Sequence, residues 1–234
     1  LQNALGTAIP EQERCGTGEE GAERSGAEVE VCRFEGSAAG EKGRTLRQLV
    51  RHAVRMRPDR ILVGEVRGGE ALDMLQAMNT GHDGAMSTIH ANSPRDALSR
   101  LETLVLMGGF DLPVRAIRQQ ICGSINLIVH VSRLGDGSRK VVSIAELTGF
   151  DDPTIAVQEL FASEANGGAT QGWTRLMPTG IRPQIMDKIH RLQVAGPDLA
   201  RLYPRNPAAT TSSTRRSTSI ADPGGIPQYE RRQL

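Results

Sequence analysis

Glu65 closes a run of apolar residues, Ile61-Leu62-Val63-Gly64-Glu65, and two histidines follow it, one in Gly81-His82 and one in Ser87-Thr88-Ile89-His90. A carboxylate at the end of a buried parallel strand lies at the edge where open α/β sheets bind ligands. There it can hold Mg²⁺ through water, orient an attacking water, or simply cap the loop before the next helix. Arg67 comes two residues later and either pairs with Glu65 or reaches a phosphate. The histidines suit the sensing of a phosphate or the shaping of a pocket, with Thr88 between them. They flank a predicted strand over Ala85 to Ile89, whose length separates its ends by more than one metal ion can bridge, so a zinc site is not expected. Arg44, Arg47, Arg51 and Arg55 recur at spacings of three and four and share one helical stripe. That stripe either reads phosphates at a subunit boundary or forms a solvated helix face.

The loop that would cradle phosphates is not found. No stretch of the 234 residues reads Gly-x-x-x-x-Gly-Lys-Ser/Thr. Gly36-Ser37-Ala38-Ala39-Gly40-Glu41-Lys42-Gly43 follows a possible strand over Val29 to Phe34, but Glu41 sets a negative charge towards the phosphates and no hydroxyl follows Lys42. Gly16-Thr17-Gly18-Glu19-Glu20-Gly21 matches Gly-x-Gly-x-x-Gly, yet Glu11-Gln12-Glu13-Arg14 before it does not read as the buried strand a dinucleotide site requires.

The elements that must position these groups are legible from Thr45 onward. Leu46, Leu49, Val50, Ala53, Val54 and Met56 recur at helical spacing up to Pro58. A strand over Arg60 to Gly64, a helix over Glu70 to Asn79, a strand over Ala85 to Ile89 and a helix from Pro94 to Leu106 follow. Short apolar strands alternating with helices indicate a parallel sheet covered on both faces. Pro113 to Cys122 reads as a helix and Ser124 to Ser132 as a strand. Gly135-Asp136-Gly137 then turns the chain into a strand over Lys140 to Leu147. Thr154 to Ala162 adds a further strand, and Arg182 to Gln193 a last short helix. Residues 205–234, with Ser/Thr repeats, Pro and Gly, read as a disordered tail.

Composition narrows the function. A net charge of +1 and 3% aromatic residues supply neither the basic surface nor the stacking platforms of a nucleic-acid binder, so no nucleic-acid partner is expected. Three cysteines, none at C-x-x-C spacing, indicate neither a disulfide framework nor a zinc site and point to a reducing, cytoplasmic compartment. No apolar run approaches the ~20 residues of a spanning helix, so any membrane association is peripheral. The chain opens on Leu1-Gln2-Asn3-Ala4-Leu5 in register for a helix already under way, which suggests a fragment.

Arg55-Met56-Arg57-Pro58-Asp59-Arg60-Ile61-Leu62-Val63-Gly64-Glu65-Val66-Arg67 resembles the Walker B region of the type II/IV secretion ATPase superfamily, and Gly81-His82…Ser87-Thr88-Ile89-His90-Ala91-Asn92 resembles its His box. The resemblance runs from Thr45 to about Ala162, extends weakly to Leu1–Leu5, and is closest to the CpaF/TadA-like branch that powers assembly of tight-adherence (Flp) pili. It implies an α/β, RecA-like P-loop NTPase core, here partial, with a mainly parallel sheet flanked by helices and a C-terminal β-hairpin region. It further implies ATP and Mg²⁺ as ligands, a homo-hexameric ring at the cytoplasmic face of the inner membrane, and membrane platform proteins as partners. By position Glu65 matches the Walker B glutamate, His82 and His90 the His box, and Glu19 with Glu20 the acidic Asp box. Arg67, Thr88 and Arg100 are expected at the nucleotide, and Arg14, Arg55, Arg57 and Arg100 are candidates to reach a neighbour's nucleotide. Cys15-Gly16-Thr17-Gly18 stands where the family has a hydrophobic strand. Residues 1–44 are therefore expected to be a divergent or poorly ordered remnant, 45–162 the core with Walker B and His box, and 163–204 an extension. The expected function is a secretion or pilus-assembly motor, as a fragment inactive alone; the alternative is a catalytically dead interaction module of such a ring.

Overall fold

Two sheets divide the chain in the computed structural model, which describes residues 1–10, 12–19, 31–35, 45–164 and 175–193. The first is parallel, with order β2-β1-β3-β4, built from β1 (Cys15–Glu19), β2 (Val31–Glu35), β3 (Arg60–Val63) and β4 (Met86–Ser87). The second is an antiparallel meander of β5 (Leu127–Arg133), β6 (Arg139–Asp151), β7 (Thr154–Glu164) and β8 (Arg175–Pro178). A one-turn helix α1 (Gln2–Gly6) opens the chain. Helices α2 (Leu46–Arg55), α3 (Glu70–Asn79), α4 (Pro94–Met107) and α5 (Val114–Ser124) alternate with and follow the parallel strands, and α6 (Ile185–Arg191) closes the described chain.

β1 was not expected, because Cys-Gly-Thr-Gly-Glu carries no run of apolar residues. It forms because both of its edges are paired, with β2 on one side and β3 on the other. Its alternate side chains, Cys15 and Thr17, are buried at 2% and 4% exposure. β4 is shorter than the predicted Ala85 to Ile89. Only Met86 and Ser87 pair with β3, opposite Leu62 and Val63. The readings of Glu20, of Gly36–Gly43 and of the tail at 205–234 lie outside the described residues.

The helices start and stop where side-chain chemistry dictates. Thr45 Oγ1 accepts from Gln48 N (3.3 Å) while Gln48 Oε1 accepts from Thr45 N (3.1 Å), a reciprocal capping box at the start of α2. Pro58 disfavours helical geometry at the residue before it, and Arg57 there takes a left-handed φ of 49°. The Ser93 hydroxyl accepts from Asp96 N to start α4, with Pro94 in its first turn. The core is aliphatic: Val50, Val63, Val66, Leu75, Val105 and Ile117 are all at most 1% exposed. Burying such a side chain is worth about 1.5–3 kcal/mol. Gly69 and Gly108 let the start of α3 meet the end of α4 backbone to backbone, since a Cβ on Gly69 would lie 2.5 Å from Gly108 Cα.

Two buried carboxylates tie the layers together. Asp73 of α3, at 7% exposure, accepts from Arg47 Nε (2.7 Å) and Arg51 Nε (2.6 Å) of α2. The Arg47 guanidinium also lies 4.7 Å from the Phe110 ring centroid, a cation–π contact. Two members of the predicted arginine stripe, although partly exposed, are thus not free for a phosphate, because α3 supplies their counter-charge. Glu146 of β6, at 2% exposure, accepts from the backbone N–H groups of Gln184 (2.8 Å) and Ile185 (2.6 Å), satisfying orphan donors at the start of α6. Lys188 of α6 pairs with Asp83 in the turn after α3. Among the described residues no helix is long and apolar enough to cross a membrane.

Asp73→Ala is expected to lower the unfolding free energy by about 1–3 kcal/mol, since Arg47 and Arg51 are partly exposed and can be rehydrated. The check is a lower urea midpoint at unchanged slope; an unmoved midpoint would show that apolar packing alone holds α2 to α3. Glu146→Ala should speed tryptic cleavage after Lys188 and Arg191 under native conditions by freeing α6, whereas an unchanged cleavage rate would mean that α6 is held without its cap.

Candidate functional site

The parallel sheet delivers its polar groups to one edge. β3 ends at Val63, fully buried, and Gly64 bends the chain so that Glu65 leaves the carboxyl end of the strand. Gly18 of β1 pairs with Val63, which sets Glu19 level with Gly64 at the same edge; its side chain lies outside what the structure describes. On the other side β4 leads through Thr88 to His90.

Glu65 is held by this chain's own Arg67 and His90. Its side chain is 25% exposed, Oε2 accepts from Arg67 Nη2 at 2.6 Å, and Oε1 lies 3.0 Å from His90 Nδ1. The hydrogen bond from Arg67 is the main reason that the Glu65 carboxyl sits below the usual carboxylate range; the charges of His90, Arg67 and Arg100 add to it, while burial opposes them. The group is therefore ionised at neutral pH. Each carboxylate oxygen has two lone-pair directions, so one bond to each leaves places for water.

The loop around Glu65 is fixed from both sides. Thr88 Oγ1 donates to Gly64 O at 2.5 Å, and Thr88 O accepts from Val66 N at 3.0 Å. Further along, Glu70 Oε1 accepts from the backbone N–H groups of Arg67 (2.7 Å) and Gly68 (2.8 Å). Glu70 was not singled out from sequence, although an acid in the first turn of a helix is a signal for such capping.

Next to Glu65 opens a cavity of about 550 Å³, lined among others by Arg67, His90, Asn92, Ser99, Arg100 and Thr103. Its volume falls in the range of small-molecule sites. Arg67 and Arg100 in its wall outnumber the one carboxylate there, Asp96, and with hydroxyl and amide groups beside them the cavity is suited to an anion. The structure thus brings together Glu65, Arg67, His90 and Arg100 of the predicted set.

His82 stands apart from them. It is 8% exposed, its Nδ1 lies 2.9 Å from Ala77 O, and it does not line the cavity. Its place is the turn between Gly81 and Gly84, both at positive φ, where a Cβ on Gly84 would collide with the Arg60 guanidinium. Arg60 in turn pairs with Glu13. Thr88 borders the site, but the single proton of its hydroxyl is donated to Gly64 and so is not offered to a phosphate. Glu20 lies outside the described residues.

Comparison with known proteins gives the family and the fold. Residues 1–192 match the family model described as Type II/IV secretion system protein. The type IV secretion system protein PtlH of Bordetella pertussis is 40% identical over 164 residues, covering 65% of this chain and 48% of that protein. The conjugal transfer protein TrbB of Rhizobium radiobacter is 41% identical over 104 residues, covering 44% of this chain and 30% of that protein. Among solved structures, the VirB11 ATPase of the Brucella suis type IV secretion system, in complex with sulphate, superposes with a TM-score of 0.56 at 30% identity, over 62% of this chain and 43% of that one. The matched regions span less than half the length of each of these relatives. The fold is a partial RecA-like core with an appended antiparallel sheet, and the chain belongs to the type II/IV secretion system protein family.

Proposed function

We propose that the chain carries the acid and sensor half of an ATP-hydrolysing motor that energises type II/IV secretion or pilus assembly. The observation that carries this reading is the ionised Glu65 at the carboxyl end of β3, beside a cavity walled by Arg67, His90 and Arg100. Arg67 and Arg100 meet the negative charge of a polyphosphate, and His90 senses it by leaving or keeping Glu65 Oε1. Glu65 orients the attacking water. His82, bonded to Ala77 O, shapes the turn behind the site, and by their position in the sequence Glu19 and Glu20 serve as its acidic Asp box. The relative from Brucella suis was solved with sulphate, a tetrahedral anion like phosphate.

The residues fit Mg²⁺ as an ion that arrives on the nucleotide. Magnesium is bound through one or two carboxylates together with phosphate oxygens and waters. Glu65 supplies one carboxylate, and among the described residues no group of three or more His, Cys, Asp or Glu is gathered for a metal. When bound, Mg²⁺ neutralises charge on the phosphates. Glu65 would hold it through water.

The motifs favour the CpaF/TadA-like branch, working as a hexameric ring at the cytoplasmic face of the inner membrane and passing its motions to platform proteins. Hydrolysis relies on backbone N–H groups and a lysine to hold the β and γ phosphates in line. Because these 234 residues contain no such loop, the chain alone binds ATP weakly and does not turn it over. The same fact favours a second reading, an inert interaction module that joins or caps a ring of intact subunits.

Steady-state phosphate release separates the readings. The full-length gene product should hydrolyse ATP and lose about 10²–10⁴-fold of kcat on Glu65→Gln, while the 234-residue chain releases none. Turnover that is indifferent to Glu65→Gln would sink the motor reading. Absence of turnover in the full-length product would leave the inert module.

A further inference from the structure

We propose that Thr88 is a positioning residue for Glu65: it clamps the two peptide groups that flank Glu65 and so sets where the carboxylate stands. This rests on the reading of Glu65 as the water-orienting acid.

Regular pairing ends early at this sheet edge. β4 pairs with β3 only through Met86 and Ser87, opposite Leu62 and Val63. Gly64 is in a bend and Glu65 to Arg67 have no regular structure. Glycine before the acid leaves the backbone free to take many conformations, so strand geometry does not determine the direction of Glu65. Thr88 takes over where the ladder stops. Its hydroxyl donates to the carbonyl of Gly64, the residue before Glu65, at 2.5 Å, and its carbonyl accepts from the N–H of Val66, the residue after, at 3.0 Å. One residue thus holds both sides of Glu65 with one side-chain and one backbone bond. Val66 is itself 1% exposed and anchored in the core, so the Gly64 side is the one that the hydroxyl must secure. His90, two residues after Thr88, then stands 3.0 Å from Glu65 Oε1.

Threonine suits the task for a chemical reason. A hydroxyl has one proton, and here it goes to Gly64 O, so the group cannot also donate to a phosphate. Its second substituent, a methyl, restricts χ1 and keeps the hydroxyl aimed. Serine preserves the donor with a freer rotor, and valine preserves the shape without the donor.

The test uses Thr88→Val and Thr88→Ser in the full-length gene product, with wild type and Glu65→Gln alongside. Misplacement of a catalytic group by about 1 Å costs on the order of 10²-fold, so Thr88→Val is expected to lower kcat ~10- to 100-fold with KM for ATP within about twofold, and Thr88→Ser to retain most of the activity. On the Glu65→Gln background Thr88→Val should add no further loss, because it acts through that carboxylate. Independently of turnover, amide hydrogen exchange over residues 61–69 in the nucleotide-free protein should rise in Thr88→Val and not in Thr88→Ser. Should Thr88→Val fail to fold, Thr88→Ala against Thr88→Ser isolates the hydroxyl in the same way. An unchanged kcat together with unchanged exchange overturns the proposal, as does a loss confined to KM, which would place the hydroxyl on the nucleotide, or a loss that adds in full to that of Glu65→Gln. If wild type and Glu65→Gln turn over alike, the motor reading fails instead, and the exchange measurement still decides whether Thr88 holds the loop.

Discussion

The pairing of β3 between β1 and β4 is the constraint on which the site depends. In a parallel sheet every strand ends its run at the same edge, so the register that sets Gly18 against Val63, and Val63 against Ser87, aligns three exits from the core. Residues distant in sequence, Glu19, Glu65 and His90, are thereby brought to one rim without any contact needed to collect them. Helices α2 to α5 act on this arrangement by supplying an aliphatic interior dry enough to keep the strands paired. A slip of one residue in β3 would exchange the two buried faces that Leu62 and Val63 fill, disrupting the packing of both and the placement of Glu65 together.

Charge is divided between structure and site along a line that composition conceals. Seven arginines fall between Arg44 and Arg67, and four of them are matched to carboxylates: Arg47 and Arg51 to Asp73, Arg60 to Glu13, and Arg67 to Glu65. The first three contacts join elements of the scaffold. The fourth lies within a single loop, two residues apart, beside an open cavity. It is also the contact whose carboxylate has a depressed pKa from neighbouring cations, the kind of perturbation that gathers at functional sites.

Much of this was legible in the sequence, and the failures have physical causes. Helices α3 and α4 were readable because apolar periodicity coincides with punctuation, Gly69 before one and Ser93-Pro94 before the other. The hairpin of β5 and β6 was announced by Gly135-Asp136-Gly137, where Asp136 Oδ1 accepts from the Ser138 N–H at 2.9 Å. β1 was illegible, since a strand paired on both sides can be made from Cys, Gly and Thr provided that its neighbours supply the apolar cover, and a local pattern carries no record of neighbours. For the same reason β8 and the buried Glu146 were missed: their partners lie 11 or more residues away along the chain. Of the site, the acid and the cations around it could be named from type and position. That His90 faces Glu65 while His82 turns to Ala77 O could not, because both follow from backbone turns that sequence spacing leaves undetermined.

The tie between Lys188 and Asp83 joins residues 105 apart in the chain. Closing so long a loop carries an entropic cost that is met only after intervening contacts have shortened the effective path. The antiparallel meander must therefore be paired before α6 can reach the turn that follows α3, which makes this docking a late event in folding. The reverse order holds for opening. Secured by one buried cap, one exposed ion pair and the buried Met186, α6 is a segment that can detach while the parallel core stays intact, a sub-global opening below the cost of full unfolding. The C-terminal end of the described chain is thus built as a latch on the finished fold.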